Sequence, residues 1–347
     1  MKKLIQSDIM KNILCVRFVP VLLGITLFAA SCATEDEEDD TKPYIPGSLV
    51  FSMPTYVDTM DTYALHASGL TEPSDAELVY FWTGSTLFIK DTVWGQDLTI
   101  TIPDTLGEFS IIAHAKAEGY YQSAYTHTMQ ILRGDDSFCD YVQPATYITD
   151  SRDGRNYSYT EIGSLLWFTR NLNWEGAGEA YTASPAMGDI TGRLYTWEDA
   201  TGGVDASGLG QGVQGVCPEG WSIPTAQDWE DFGKALYGKE VSFGSDWEGM
   251  ADKLRIESSL NGNKFWAYSP TCNPENLYGW AALTTGYCQD EYAHFRGLYE
   301  MGLWLCGTLA ENGNATFRFM NTDTPDFRYG SCGRSSLAVA VRCVKLK

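Results

Sequence analysis

Seven of the nine cysteines fall from Cys139 onward, and none lies between Cys32 and Cys139. A chain of 347 residues, 44% hydrophobic and 20% charged, has enough apolar surface for two domains. The cysteines offer cross-links to only the second of them. Whether those thiols oxidise depends on where the chain matures. Lys2, Lys3, Lys11 and Arg17 precede a 13-residue apolar run, Phe18 to Ala30, which ends in Ala29-Ala30-Ser31-Cys32 and leads into the acidic run Glu35 to Asp40. That run is too short to cross a hydrocarbon layer of roughly 30 Å as a helix, and small residues before a cysteine suit cleavage at a lipid-modified thiol. Residues 1–31 therefore read as a lipoprotein signal peptide, with Cys32 as the acylated new N-terminus. Met10 opens an equally good, shorter signal, so the start at Met1 or Met10 stays open. With Cys15 removed and Cys32 acylated, seven cysteines enter an oxidising route, which allows three disulfides and one leftover thiol.

This N-terminus resembles those of bacterial diacylglyceryl lipoproteins, and its acidic run resembles the outward-export signal of Bacteroidota surface lipoproteins. The resemblance implies an outer-membrane, lipid-anchored protein exposed at the cell surface, with outer-membrane lipid as its partner through Cys32. Several acyl chains on one residue satisfy the two-chain requirement for stable anchoring. The full chain carries a formal charge of −21, and loss of residues 1–31 leaves 20 basic against 44 acidic groups, or −24. A field of that sign repels phosphate backbones, so no nucleic-acid partner is expected.

Residues 32–46 form an acidic tether, too polar to fold alone. From 47 to 132 the chain runs in short alternating segments: Leu49 to Phe51, Tyr63 to His66, Leu78 to Trp82, Leu87 to Ile89, Leu98 to Ile102, Phe109 to Ala115 and Tyr125 to Leu132. Strands at this spacing, without helical periodicity, predict an all-β immunoglobulin-like sandwich. It has no cysteine to bridge its sheets, so Tyr80, Trp82 and Phe109 must carry the core by packing. Arg133-Gly134-Asp135-Asp136 marks the boundary as a linker turn rather than an adhesive tripeptide.

From 138 to 347 the chain is rich in Gly, Trp and Tyr, with two clear helical patterns. Thr225 caps one, with Asp228 in its first turn and Trp229, Phe232 and Leu236 on one face. Ser245 caps the other, with Glu248 returning the capping-box bond and Trp247, Met250, Ala251 and Leu254 on the buried stripe. The remainder reads as short strands and long loops.

Six separated blocks then follow one another in order: Ile162 to Asn173, Gly192 to Trp197, Cys217 to Thr225 with Trp229, Tyr278 to Tyr287, Trp304 to Thr308 with Ala315 to Arg318, and Val341 to Lys345. This part of the chain resembles the Fibrobacter succinogenes major paralogous domain family. The resemblance implies an α+β C-type-lectin-like fold with two helices, a small antiparallel sheet and long loops. It also implies a surface or secreted protein with a binding or adhesive role and no assigned reaction. Cys217 and Cys343 match the family and are expected to pair, while Cys272, Cys288, Cys306 and Cys332 are additions. Cys272–Cys288 and Cys306–Cys332 are the suggested loop clips, with Cys139 left over, although six cysteines allow about 15 arrangements.

His66, His114 and His127 fall in proposed strands and only His294 in the C-terminal part, which gives a nucleophile–histidine machine little to build on. No spacing suggests a zinc or nucleotide site, so no metal and no cofactor are expected. Asp150 to Asn156 has the wrong spacing for a calcium loop, and the family resemblance implies a β-hairpin turn there. Aromatic residues crowd the loops between Phe265 and Trp304, and most of them must be core. Tyr292, Phe295, Arg296 and Tyr299 lie in the less patterned insertion between blocks and are the binding candidates.

The reading is a surface-anchored lipoprotein with a non-catalytic binding or adhesion role toward an unknown glycan or surface protein. Alternatives are a glycan-binding accessory of a polysaccharide-uptake system, or a structural fimbrial or surface-layer component. An enzyme of the formylglycine-generating type, which has a related fold, needs a paired-cysteine copper site, and no such context surrounds Cys272, Cys288, Cys306 or Cys332. Intact mass spectrometry of native material is expected to find an N-terminal Cys32 carrying fatty acyl mass. An unacylated Cys32 would overturn the anchor.

Overall fold

The computed structural model describes residues 42–135, 138, 144–267, 269–270 and 273–347. The expected signal peptide, Cys32, most of the acidic tether, Cys139 and Cys272 lie outside the described residues. The described chain is mostly β-strand with few helices.

Its first part holds strands β1 (Gly47–Val50), β2 (Tyr56–Asp58), β3 (Thr62–His66), β4 (Ser68–Leu70), β5 (Val79–Gly84), β6 (Val93–Trp94), β7 (Asp97–Thr101), β8 (Gly107–Lys116) and β9 (Ser123–Leu132). A five-stranded sheet runs β2-β9-β8-β5-β6, and β1 with β4 and β3 with β7 form two further pairs. Alternation decides what each strand buries: in β7, Leu98 and Ile100 point inward between exposed neighbours. These sheets share one core, centred on the fully buried Trp82 with Phe51 at 5.0 Å. Tyr80 and Phe109, expected in that core, sit half-buried at its margin. The segment Leu87 to Ile89, expected as a strand, is a turn because the Ser85 carbonyl accepts from both Phe88 N and Ile89 N.

The second part holds β10 (Tyr147–Thr149), β11 (Asn156–Ile162), β12 (Leu165–Phe168), β13 (Glu179–Ala180), β14 (Arg193–Tyr195), β15 (Ser259–Leu260), β16 (Asn263–Lys264), β17 (Tyr287–Gln289), β18 (His294–Arg296), β19 (Met301–Cys306), β20 (Ala315–Asn321), β21 (Arg328–Cys332), β22 (Leu337–Ala340) and β23 (Val344–Leu346). One sheet runs β10-β11-β12-β23 and a larger one β13-β14-β22-β19-β20-β21, with the β17–β18 hairpin joined to β22 and β15–β16 a separate hairpin. Helices α1 (Pro185–Thr191), α2 (Trp197–Thr201) and α3 (Ala226–Tyr237) pack beside them.

Helix α3 is the one Thr225 announces. Thr225 Oγ1 accepts from Asp228 N, and Thr225 N donates to the Asp228 carboxylate at 2.8 Å, while Trp229, Phe232 and Leu236 are buried. The helix expected from Ser245 does not form. Its backbone is committed elsewhere: Trp247 N donates to Phe327 O, Gly249 N to Asp326, and Tyr237 donates to Glu248 O. Gly249 adopts φ +67°, and Ser245 Oγ donates to Ser242 O rather than capping a helix. Trp247, Met250, Ala251 and Leu254 are nonetheless buried as the periodicity required. Conversely, α1 and α2 are short helices not read from the sequence, capped by Ser184 with Pro185 at the first position and by Thr196.

Long loops leave many backbone carbonyls to satisfy, and fully buried arginines do so. Arg318 donates to Phe243 O, Ser245 O and Phe327 O and stacks 3.6 Å from the Trp247 ring. Arg342 donates to Phe168 O, Trp280 O, Ala281 O and Asn171 Oδ1 and stacks 4.2 Å from Trp280. Arg255 bonds Asp252, Asn321 O and Thr324 O over Trp266. Burial pushes the Arg318 guanidinium down to about 9, which keeps it charged at neutral pH.

Cys217 and Cys343 form a disulfide with Cα atoms 5.8 Å apart, closing a separation of 126 residues. The suggested Cys306–Cys332 pair is not made, and Cys272 of the other lies outside the described residues. Cys306 faces Thr316 across β19–β20, whereas Cys332 faces Ala315 on the far side of β20. The two thiols are therefore two strand spacings apart, about 10 Å, and project from opposite faces, beyond the reach of a disulfide. Cys288 is likewise a buried free thiol, in the core beside Ala338 of β22.

Alkylation in denaturant without reductant is expected to label Cys288, Cys306 and Cys332, and to reach Cys217 and Cys343 only after reduction. Replacing Arg318 with Met strands the carbonyls of Phe243 and Ser245, while Phe327 O keeps its bond from Trp247 N, and is expected to cost about 3–5 kcal/mol in urea unfolding. A change below about 1 kcal/mol would show that those carbonyls find other partners.

Candidate functional site

Strand β11, the segment Thr169 to Asn173 and helix α1 enclose an open cavity of about 280 Å³ whose lining includes Arg155, Arg170, Asn171, Asn173, Asp189 and Gly192. Each side chain is placed by the local chain. Phe168 is drawn inward and stacks on Tyr157 at 4.9 Å, and the next residues turn their polar groups toward α1. Asn171 Nδ2 donates to Thr191 O at 2.8 Å, while its Oδ1 accepts from Trp304 Nε1 and Arg342 Nε. Asn173 Nδ2 donates to Asp189 Oδ1 at 2.9 Å, and Arg155 donates to the same oxygen. Two glycines permit this approach. A Cβ on Gly188 would lie 2.8 Å from Asn173 Oδ1, and Gly192, at φ +78°, lies against Asn171.

A second opening of about 510 Å³ adjoins at Arg155 and is lined by Arg152, Asp153, Trp174 and Glu175. The turn between β10 and β11 is the segment weighed as a calcium loop. Its first residue, Asp150, is buried and takes Arg152 Nε and Nη2 at 2.6–3.1 Å, so its oxygens serve an arginine. Burial alone would raise that carboxyl, and the Arg152 bonds and charge overcome it and hold it below the ordinary carboxylate range.

The binding candidates of the sequence lie elsewhere, on and after the β17–β18 hairpin. Tyr292 donates to Asp199 Oδ2 at 2.5 Å and accepts from Thr196 N, and burial together with Asp199 raises its phenol. Phe295 packs 5.4 Å from Tyr181. Tyr299 meets Phe265 at 5.7 Å and lies beside Tyr56 of β2, a contact between the two parts of the chain. Arg296 is exposed. The first three thus brace the hairpin, and none of the four lines the cavity. The cavity residues were present in the sequence as Thr169-Arg170-Asn171-Leu172-Asn173, a polar run directly after a buried strand. Periodicity gives no reason to separate them from the packing around them.

The sequence profile described as the Fibrobacter succinogenes major domain matches residues 160–345, more than half of the chain. The chain belongs to that family. The family domain therefore supplies Arg170, Asn171, Asn173, Asp189 and Gly192 to the cavity, while Arg155 comes from just before it. No curated protein matches the chain. Among solved structures, a nucleoside hydrolase-related hypothetical protein from Saccharophagus degradans, associated with carbohydrate metabolism, is 18% identical over 25% of each chain with a TM-score of 0.19. This chain thus spans a quarter of that protein's length. A superoxide reductase (neelaredoxin) from Ignicoccus hospitalis is 9% identical over 25% of this chain and 82% of its own, TM-score 0.19. The adhesin InvE of Yersinia pseudotuberculosis is 9% identical over 86% of this chain and 70% of its own, TM-score 0.21.

The depressed Asp150 sets a pH dependence. Its folded-state value lies below the unfolded one, so its contribution to stability is present above about pH 4 and is lost as pH falls through the folded value. The urea midpoint is expected to drop in that acid range, and Asp150→Asn to lower the midpoint at pH 7 while flattening the acid slope. An unchanged slope in the variant would assign the loss to other carboxylates.

Proposed function

We propose that this chain is a non-catalytic binding protein, anchored by an acylated Cys32 in the outer membrane and displayed at the cell surface. In this reading residues 47–132 are an immunoglobulin-like sandwich and residues 138–347 a C-type-lectin-like recognition domain. The observation that carries the binding role is the polar cavity against α1. Asn171, Asn173 and Asp189 are fixed there by hydrogen bonds already made within the protein, so a ligand meets oriented amide and charged groups. The Asp189 carboxylate is occupied by Arg155 and Asn173, and among the described lining residues it faces no second carboxylate. This suits holding a polyhydroxy or amide-bearing ligand better than cleaving one. A glycan or a surface protein fits that description.

A glycan array probed with the chain from residue 32 onward tests the ligand. Binding that Asn173→Ala or Arg155→Ala abolishes supports a glycan site in the cavity. Binding lost instead in Tyr292→Ala or Tyr299→Ala, with the fold intact, moves the site to the hairpin. Silence across the array, with specific capture of a surface protein from the same cells, supports adhesion or assembly. Protease treatment of intact cells tests display, and full protection of the chain would reject it.

A further inference from the structure

The part of the chain that holds β1 to β9 presents an aromatic groove of its own. Between β5, β6 and the segment after β4 lies an open groove of about 500 Å³ lined by Glu72, Glu77, Tyr80, Trp94 and Gln96. Trp94 is 59% exposed on a two-residue edge strand. It is not loose. Phe81 packs 5.1 Å from it across the strand pair, Lys116 Nζ lies 4.7 Å from its ring, and Phe81 is backed by His114 stacked at 4.5 Å. His114 is fixed in turn by Thr83 Oγ1 at 2.8 Å and Gln122 Nε2 at 3.0 Å. An indole held in one orientation while much of its surface faces water has already lost the freedom that binding would otherwise remove.

The polar groups around it are also set. Glu72 accepts from Leu78 N, and Gln96 Nε2 donates to Ala67 O at 2.7 Å. Among the described residues, no hydrogen bond engages the Tyr80 hydroxyl, the Trp94 indole N–H or the Glu77 carboxylate. A braced aromatic ring beside carboxylate, amide and hydroxyl groups matches a sugar ring, which offers an apolar C–H face and a rim of hydroxyls. Glu72, Glu77 and the chain's net negative charge oppose an anionic glycan. We propose that this groove is a second binding site, for a neutral polysaccharide, with Trp94 stacking on a sugar ring and Glu72, Glu77 and Gln96 accepting from its hydroxyls. The proposal is independent of the cavity beside α1.

Affinity electrophoresis of the purified chain tests it, in gels containing hydroxyethylcellulose, galactomannan or amylopectin as neutral probes and polygalacturonate as the anionic one. Retardation is expected in at least one neutral gel and not with polygalacturonate. Trp94→Ala should weaken it about ten-fold, and Trp94→Tyr should keep part of it. Glu77→Gln, at an exposed position, provides a variant that cannot disturb the core and should also weaken retardation. No retardation in any neutral gel, equal retardation by polygalacturonate, or parental binding by both Trp94→Ala and Glu77→Gln would overturn the proposal. Retardation lost only in Asn173→Ala would assign the polysaccharide to the cavity and overturn it as well.

Discussion

Guanidinium groups buried against tryptophan rings hold the family domain together. Its strands are short and its loops long, so many buried carbonyls have no ladder to join. Arg255, Arg318 and Arg342 each collect several of these from distant segments, and each sits over an indole. The planar fork makes this possible, because its donors diverge in one plane while its faces remain apolar enough to stack. Desolvation of three cations is costly, and the carbonyl bonds and ring contacts offset it. Arg342 also shares Asn171 with Trp304, and Asn171 in turn holds α1 through Thr191 O. The floor of the cavity is therefore continuous with the interior.

The disulfide acts on the same loops from another side. Cys217 precedes α3 and Cys343 precedes the last strand, within a core that also contains Trp221, Phe168 and Val341. Closing so long a loop stabilises by about 2–4 kcal/mol, chiefly through the unfolded chain. The first half has no such bond and relies on Trp82 and alternating aliphatic side chains. Its strand β2 nevertheless meets the second half through Tyr56, Tyr181 and Tyr299, and Asn261 donates to Gln130 and to Ile131 O. The linker turn at Arg133 to Asp135 thus joins parts that touch.

Much of this was legible in the order of residues. Thr225 with Asp228 marked α3, period-two alternation marked β7, β8 and β9, and the six blocks marked the family and the Cys217–Cys343 pair. Where the reading departed from the fold, tertiary contacts outbid local preference. Ser245 to Leu254 carries a helical signature, but the carbonyls of Phe243 and Ser245 are taken by Arg318 and the amide of Trp247 by Phe327. Cys306 and Cys332 suggest a clip until strand register puts β20 between them. Tyr292 and Tyr299 look available in a loop until Asp199 claims the hydroxyl of the first and Phe265 packs on the ring of the second.

Sequence by itself determined the family, the strand-rich character and the Cys217–Cys343 pair, because these depend on composition, local periodicity and the ordered recurrence of blocks. Only the tertiary structure decided where polar groups converge. A cavity formed by a strand edge, a turn and a short helix, or a groove beside an edge-strand tryptophan, depends on distances between residues far apart in the chain. No local pattern encodes those distances.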